Sequence, residues 1–170
     1  MRFPPRSLHI ALCLLVFCGT AWARIQVDFD TTVYFGRYRV YAWMEGTPAK
    51  DPEAEAAIHA AVTRELAERG LSPAGEDQEP DLIVVTHATL GGPWALDPDN
   101  FAYGGYPEGG WGVSDPKPAE AVLLIDLLDA PSMRIVWRGI VVDSMPKDPD
   151  KLAKKIDRYV HKMLKKLPPR

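Results

Sequence analysis

The side chains that most often carry catalysis or bind metals are scattered along this sequence. His59, His87 and His161 are far apart in the chain, and none belongs to a recognised metal-binding pattern. The chain contains no Gly-x-Ser-x-Gly, His-Glu-x-x-His or phosphate-binding glycine loop. We therefore predict no catalytic residue, no metal site and no cofactor, and we interpret the histidines as surface or half-buried side chains.

One carboxylate is unusual because it interrupts a strongly apolar stretch. Asp126 lies within residues 123–128, which are otherwise aliphatic. A buried carboxylate requires a partner, and its pKa can be raised. Arg138 lies on the next predicted strand and is the obvious partner. We interpret Asp126 and Arg138 as a structural ion pair rather than as a general acid with its activator.

Residues 91–118 form a long segment rich in glycine, proline and aromatic side chains. A loop of this length in a compact domain is usually functional or disordered, and simple disordered linkers contain few aromatic residues. The rings could contact a sugar or a partner protein, or they could pack over an uncovered face of a sheet. The candidate binding residues in this segment are Trp94, Phe101, Tyr103, Tyr106 and Trp111.

Hydrophobic periodicity and helix-start signals predict the elements that position these residues. Two helices are predicted, and each starts with an Asp-Pro pair in which Asp caps free N–H groups and Pro occupies the first turn. These starts are Asp51-Pro52 and Asp148-Pro149. Strands are predicted at 37–43, 81–90, 121–128 and 133–142, and the short turn at 130–132 joins the last two strands as a hairpin.

The predicted order, β-α-β-β-β-α, indicates an α+β domain with a four-stranded mixed sheet and two helices on one face. The strand-helix-strand beginning favours a parallel pair with a right-handed crossover. The strands at 81–90 and 121–128 are apolar without alternation, which is typical of strands covered on both faces. We therefore expect the second face to contact an N-terminal segment, the long loop or another molecule.

Residues 1–23 have the pattern of a cleavable secretory signal. Arg2 and Arg6 precede an apolar stretch at 8–17 that is too short to span a membrane. The small residues Ala21 and Ala23 then predict cleavage before Arg24. We expect residues 24–170 to form a single domain in the periplasm or outside the cell.

A lipoprotein of the outer membrane is the alternative to a released domain. Cys18 would be the acylated residue, although Phe17 is a poor fit to the small residue that normally precedes a lipidated cysteine. Contact with a membrane is expected only through such a lipid, or weakly through the lysine-rich last helix.

Composition restricts the partners and the means of stabilisation. Both cysteines, Cys13 and Cys18, lie in the predicted signal, so the mature domain would contain no disulfide and would depend on its core. The formal net charge is −3, and removal of Arg2 and Arg6 makes the domain more acidic. Such a charge argues against nucleic acid as a partner, because phosphate binding needs a basic surface.

Several segments resemble the DUF4136 family of bacterial envelope proteins, many of which are lipoproteins. The resemblance covers nearly the whole predicted mature chain and implies a shared fold. The family has no assigned activity and no catalytic residues, so it implies none here. The matching segments are Val27-Asp28-Phe29-Asp30, then residues 35–43, 80–84, 123–130 and 135–139, and the ending at 156–158 and 167–169.

From these observations we expect an exported, non-enzymatic binding or structural module that engages an envelope protein or a glycan. One alternative is a hydrolase-type enzyme whose site is assembled in space from Asp126, His87 or Asp143. The other is a scaffold that associates with further copies of itself through the uncovered face of its sheet.

Overall fold

The computed structural model describes residues 24–90 and 120–169. Both helices start at the predicted Asp-Pro pairs: Asp51 accepts a hydrogen bond from the Glu53 N–H at 3.0 Å, and Asp148 accepts one from the Lys151 N–H at 3.1 Å. The elements are β1 (Arg24–Phe29), a 3-10 turn (Phe35–Arg37), β2 (Val40–Trp43), α1 (Pro52–Glu68), β3 (Ser72–Pro73), β4 (Leu82–Leu90), β5 (Glu120–Asp129), β6 (Arg134–Ser144) and α2 (Pro149–Leu164).

The strands form one mixed sheet in the order β1-β6-β5-β4-β2-β3. Strand β2 is parallel to β4, with α1 as the crossover, whereas β4, β5, β6 and β1 pair antiparallel. The α+β class with two helices and a mixed sheet is confirmed. The predicted number of four strands is wrong, because the residues that the structure describes form a sheet of six.

The two missed strands, β1 and β3, lie at the opposite edges of the sheet. Strand β1 alternates over its first five residues: Ile25 and Val27 pack against the core while their neighbours are exposed. This period of two was a usable signal for a strand. Strand β3 has only two residues, and its Pro73 is acceptable at an edge. A strand of two residues is too short to show a hydrophobic period in the sequence. It is recognised only by its pairing with β2.

The start of β2 also differs from the prediction. Arg37 belongs to the 3-10 turn, and the strand begins at Val40. The side chain of Asp81 accepts hydrogen bonds from the backbone N–H groups of Arg39 at 2.6 Å and Val40 at 2.9 Å. These bonds hold the chain at the point where it enters the sheet.

The main core lies between the helices and one face of the sheet. On β5, Leu123, Ile125 and Leu127 face the helices, and the alternate residues face the other way. Each such aliphatic side chain contributes about 1.5–3 kcal/mol on burial. The helices contribute Ile58, Ala61, Val62, Leu66, Ile156, Tyr159, Val160, Met163 and Leu164 to this core.

The second face of the sheet carries a smaller apolar cluster, formed by Val122, Leu124, Ile140 and Val142. Asp126 and Arg138 lie on the same face. Of the elements in the described ranges, both helices lie on the opposite side. The contact that we expect for this face involves the N-terminal segment, the long loop or another molecule, and it stays a prediction because those segments lie outside the described residues.

Within residues 24–90 and 120–169, neither helix has the length and the apolar character that crossing a membrane requires.

Candidate functional site

The aromatic residues predicted to bind a partner lie outside the described residues. These are Trp94, Phe101, Tyr103, Tyr106 and Trp111. The same holds for Ala21 and Ala23 of the predicted cleavage site and for Cys18. Arg24, the predicted first residue of the mature domain, begins β1 and pairs with Val142 of β6.

The structure brings Asp126 and Arg138 together on the second face of the sheet. They are directly opposite each other in the β5–β6 register. Arg138 donates from Nε to Oδ1 of Asp126 at 2.6 Å and from Nη2 to Oδ2 at 2.5 Å. Burial raises the pKa of Asp126, and the bonds from Arg138 oppose that rise. This geometry is that of a structural ion pair.

His87 is buried on the same face, two residues along β4 from Val85, which pairs with Asp126. The backbone N–H of Thr47 donates to His87 Nδ1 at 3.1 Å, and the Thr47 hydroxyl oxygen lies 3.0 Å from the same nitrogen. Burial, aided by the charge of Arg138, lowers the pKa of His87 to about 4. The ring is therefore neutral at pH 7 and joins the 44–51 segment to the sheet.

Asp143 lies on the other face, towards α2. Its carboxylate accepts hydrogen bonds from the Tyr159 hydroxyl and from Lys155 Nζ, the latter at 2.7 Å. Burial alone would raise the pKa of Asp143, but these bonds outweigh it and the pKa is lowered. Burial, together with the bond to this carboxylate, raises the pKa of Tyr159 to about 12. The three side chains form a closed network in which the tyrosine stays protonated.

These positions separate the groups that a hydrolase site would need. Asp126 and His87 share the second face, whereas Asp143 faces α2 on the helix side. A sheet therefore lies between Asp143 and the other two groups. The structure does not bring all three into one pocket, as acid–base catalysis by them would require.

A cavity of about 380 Å³ opens beside Asp143, between the first turns of α1 and α2 and one end of the sheet. Its volume is within the range of small-molecule sites, about 300–1,000 Å³. Its wall is largely apolar, with aliphatic side chains from both helices and from three strands. The lining includes Ala49, Ala54, Ile58, Ala88, Ala121, Leu123, Val141, Met145, Pro146, Leu152, Ile156 and Tyr159.

The cavity exists because small side chains stand where larger ones would fill the space. Ala54 on α1 and Leu152 on α2 are each in the first turn of a helix, and the Asp-Pro starts place both turns at the same end of the sheet. Ala88 and Ala121 lie on neighbouring strands at that end. Sequence reasoning missed this site, since only the packing of four separate segments encloses it.

A basic groove adjoins the cavity and shares Met145 and Pro146 with it. The side chains of Lys151, Lys154, Lys155 and Arg158, all on α2, line the groove. Two of these cations have carboxylate partners: Lys155 pairs with Asp143, and Lys151 lies 3.8 Å from Asp148. Within the described ranges, Lys154 and Arg158 form no salt bridge, so the groove has an excess of positive charge.

A second cluster of ionisable side chains lies between the helices. Glu65 is buried, and its oxygens contact His161 Nδ1 at 3.0 Å and Arg69 Nη1 at 2.9 Å. Glu68 lies close enough for these carboxylates and His161 to be considered as metal ligands. Because Arg69 already occupies one oxygen of Glu65, we interpret this cluster as an ion-pair network that joins α1 to α2.

Comparison with known sequences places most of the chain in one family. Residues 25–169 match the family described as Domain of unknown function (DUF4136). None of the curated proteins matches the chain.

Solved structures show that the fold recurs. PelC from Paraburkholderia phytofirmans, a dodecamer, is similar with a TM-score of 0.56 and 11% identity, over 88% of this chain and 99% of PelC. A DUF4136 family protein from Bacteroides thetaiotaomicron gives a TM-score of 0.59 and 12% identity, over 84% and 94% of the two chains. A PDZ domain protein from Parabacteroides distasonis gives 0.52 and 11%, over 83% of this chain and 36% of that one. At such identities the likeness concerns the fold alone.

Proposed function

Since the chain belongs to the DUF4136 family, whose function is unknown, we propose from its geometry that it is a non-enzymatic binding or structural module of the bacterial envelope, which engages a protein or a glycan. The observation that carries this proposal is the apolar cavity between α1 and α2. Binding sites are typically concave and mostly apolar, with a few polar groups that orient the ligand. Two polar groups of the wall, Asp143 and Tyr159, are bonded to each other rather than arranged as an acid and a base. The wall also includes the polar residues Lys50, Asp51, Thr89 and Lys147.

A cavity-filling variant tests the role of this site. Ala54→Trp would place an indole in the cavity, whereas Ala56→Trp puts the same side chain on an exposed position of the same helix. Each protein is purified from envelope extract, and the proteins, sugars and lipids that accompany it are identified. We expect at least one component to be retained by the unaltered chain and by Ala56→Trp, and to be lost from Ala54→Trp. Equal retention by all three proteins would exclude the cavity as the binding element.

The aromatic segment is a second proposed contact with the partner. Its candidate rings are Trp94, Phe101, Tyr103, Tyr106 and Trp111. Deletion of residues 93–116 should weaken the retention of a protein or a glycan, because aromatic rings supply much of the contact energy at such surfaces. Unchanged retention after the deletion would remove this segment from the proposal.

Export is proposed from the signal-like start of the chain. N-terminal sequencing and intact mass of the exported protein should give Arg24 as the first residue. An acylated Cys18 would instead show an outer-membrane lipoprotein, and an intact residue 1 would contradict export through a cleaved signal.

Self-association is the second candidate function, and the similarity to the PelC dodecamer favours it. The edge strands also favour it, because an unpaired edge can add a strand from another chain. Strand β1 pairs only with β6 among the described strands. Light scattering of the purified protein over a range of concentrations tests this function, and a monomer at the highest concentration would reject it.

A further inference from the structure

The apolar cavity and the basic groove adjoin each other, and together they define a ligand class more closely than either feature alone. Met145 and Pro146 contribute to the wall of both. A ligand with one end in the cavity and the other end in the groove would pass these two residues. The site has an apolar interior and a charged exit on one side.

The charge at this exit is positive after internal pairing is taken into account. Lys155 is engaged by Asp143 at 2.7 Å, and Lys151 is near Asp148. Lys154 is exposed and, within the described ranges, forms no salt bridge, while Arg158 lies over the Tyr159 ring, 5.3 Å from its centroid. An anionic group placed here would complement Lys154 and Arg158, whereas a second cation would be repelled.

The size of the cavity limits the apolar part of the ligand. If each carbon occupies roughly 30 Å³, about the share of one water molecule in the liquid, a cavity of about 380 Å³ holds a chain of about a dozen carbons. A single alkyl chain fits this description. A folded protein domain does not, since only a side chain or two would enter.

We propose that this site binds a single-chain anionic amphiphile of the fatty-acid class, with the alkyl chain in the cavity and the carboxylate against Lys154 and Arg158. This inference rests on the proposed function, since it names the ligand of the same cavity. It adds the chemistry of recognition: chain burial supplies affinity, and the groove selects the sign of the head group.

The probe is dodecanoate, titrated calorimetrically into the purified full chain below the concentration at which it forms micelles. We expect saturable binding with one dodecanoate per chain. Dodecan-1-ol, which has the same chain without the charge, should bind at least about tenfold more weakly, and a dodecyltrimethylammonium salt should bind more weakly still. Absence of dodecanoate binding, or equal binding of the alcohol, would overturn the proposal.

Two pairs of variants separate the cavity from the groove. Ala54→Trp should abolish dodecanoate binding, and Ala56→Trp should leave it unchanged.

Lys154→Glu should weaken dodecanoate binding by about threefold to tenfold without changing dodecanol binding, as expected for one exposed charge contact. Lys162→Glu reverses a charge on the same helix outside the groove and should have little effect. Lys154 is exposed, so this pair stays informative even if Ala54→Trp fails to fold. Equal dodecanoate binding by Lys154→Glu and the unaltered chain would contradict the role of the groove.

The two levels of the proposal fail separately. If dodecanoate does not bind while an envelope component is still lost from Ala54→Trp, the ligand class is wrong and the binding module stands. If dodecanoate binds but no protein or glycan depends on the cavity, the amphiphile inference stands and the proposed partner class is wrong.

Discussion

Arg138 and Asp126 form a bidentate ion pair inside the β5–β6 hairpin, with donor–acceptor distances of 2.6 and 2.5 Å. Their side chains are 1% and 0% exposed. Two buried charges stabilise a fold only when each compensates the other, because desolvation of a single charge is costly. Replacement of either residue alone should therefore disturb the pairing of these two central strands, because the other charge would be buried without a partner.

Removal of one partner tests this sensitivity. Arg138→Met should lower the free energy of unfolding by about 3–5 kcal/mol, since it leaves Asp126 buried without its guanidinium. The double variant Arg138→Met with Asp126→Leu should recover most of that loss. Urea denaturation followed by circular dichroism measures the free energy of unfolding of the unaltered chain, the single variant and the double variant. A single variant as stable as the unaltered chain would show that the pair is not needed for stability.

Acid should destabilise the protein through His87 between pH 6.5 and about 4. The unfolded ring accepts a proton near pH 6.5, and the folded ring does so only near its lowered pKa of about 4. The associated stability is therefore complete above pH 6.5 and is lost as the pH falls towards 4. The total is about 3 kcal/mol, because one pKa unit corresponds to about 1.4 kcal/mol.

His87→Asn is the matched control for this pH effect. Its amide oxygen replaces Nδ1 as the acceptor for the Thr47 N–H, but it does not titrate. The free energy of unfolding of this variant should fall less between pH 7 and 4 than that of the unaltered chain. Parallel decreases in the two proteins would contradict the assignment to His87.

The stability that Asp143 contributes should be lost at a lower pH than the stability associated with His87. Its pKa is lowered in the folded state, so its contribution is present above the ordinary value of 3.8 and is lost as the pH falls through the folded value. Asp143→Asn removes the charge that Lys155 contacts. The stability difference between this variant and the unaltered chain should be constant above about pH 5 and should shrink below 3.8. A difference that does not change with pH would exclude the ionic contribution.

Gly139 allows the close packing of Trp137 and Met163. A Cβ at this position would lie 2.6 Å from the Trp137 ring and 3.1 Å from Met163 Sδ. Gly139→Ala should therefore cost about 1–3 kcal/mol of stability through overpacking. Gly75→Ala is the control, because a Cβ there meets nothing within 4 Å. Thermal unfolding compares the two variants, and equal transition temperatures would contradict the packing argument.

The helices could be predicted from the sequence because their signals are local. Asp51-Pro52 and Asp148-Pro149 set the helix starts through contacts two or three residues away. The apolar stripe that follows each start is also local, because the spacing of apolar residues along one helix is enough to identify its buried face. The α+β class followed from these helices and from the four predicted strands, and β1 was missed although its alternation was present in the sequence.

The candidate site could not be predicted in this way, because no short segment contains it. Its walls come from α1, α2 and three strands, and its volume depends on where small residues such as Ala54 and Ala121 meet. The Asp143–Tyr159 bond likewise joins a strand to a helix. Such contacts depend on the distances between packed elements, which periodicity does not encode.

The sequence by itself therefore determined the two helix starts, the apolar faces and the absence of a catalytic motif, since these depend on residue type and spacing along the chain. Only the tertiary structure decided that residues 24–90 and 120–169 form a sheet of six strands, that Asp126 and His87 lie across the sheet from Asp143, and that a cavity adjoins the cations of α2. The physical reason is that edge pairing, the face on which a side chain lies and unfilled volume are properties of packing between segments distant in the chain.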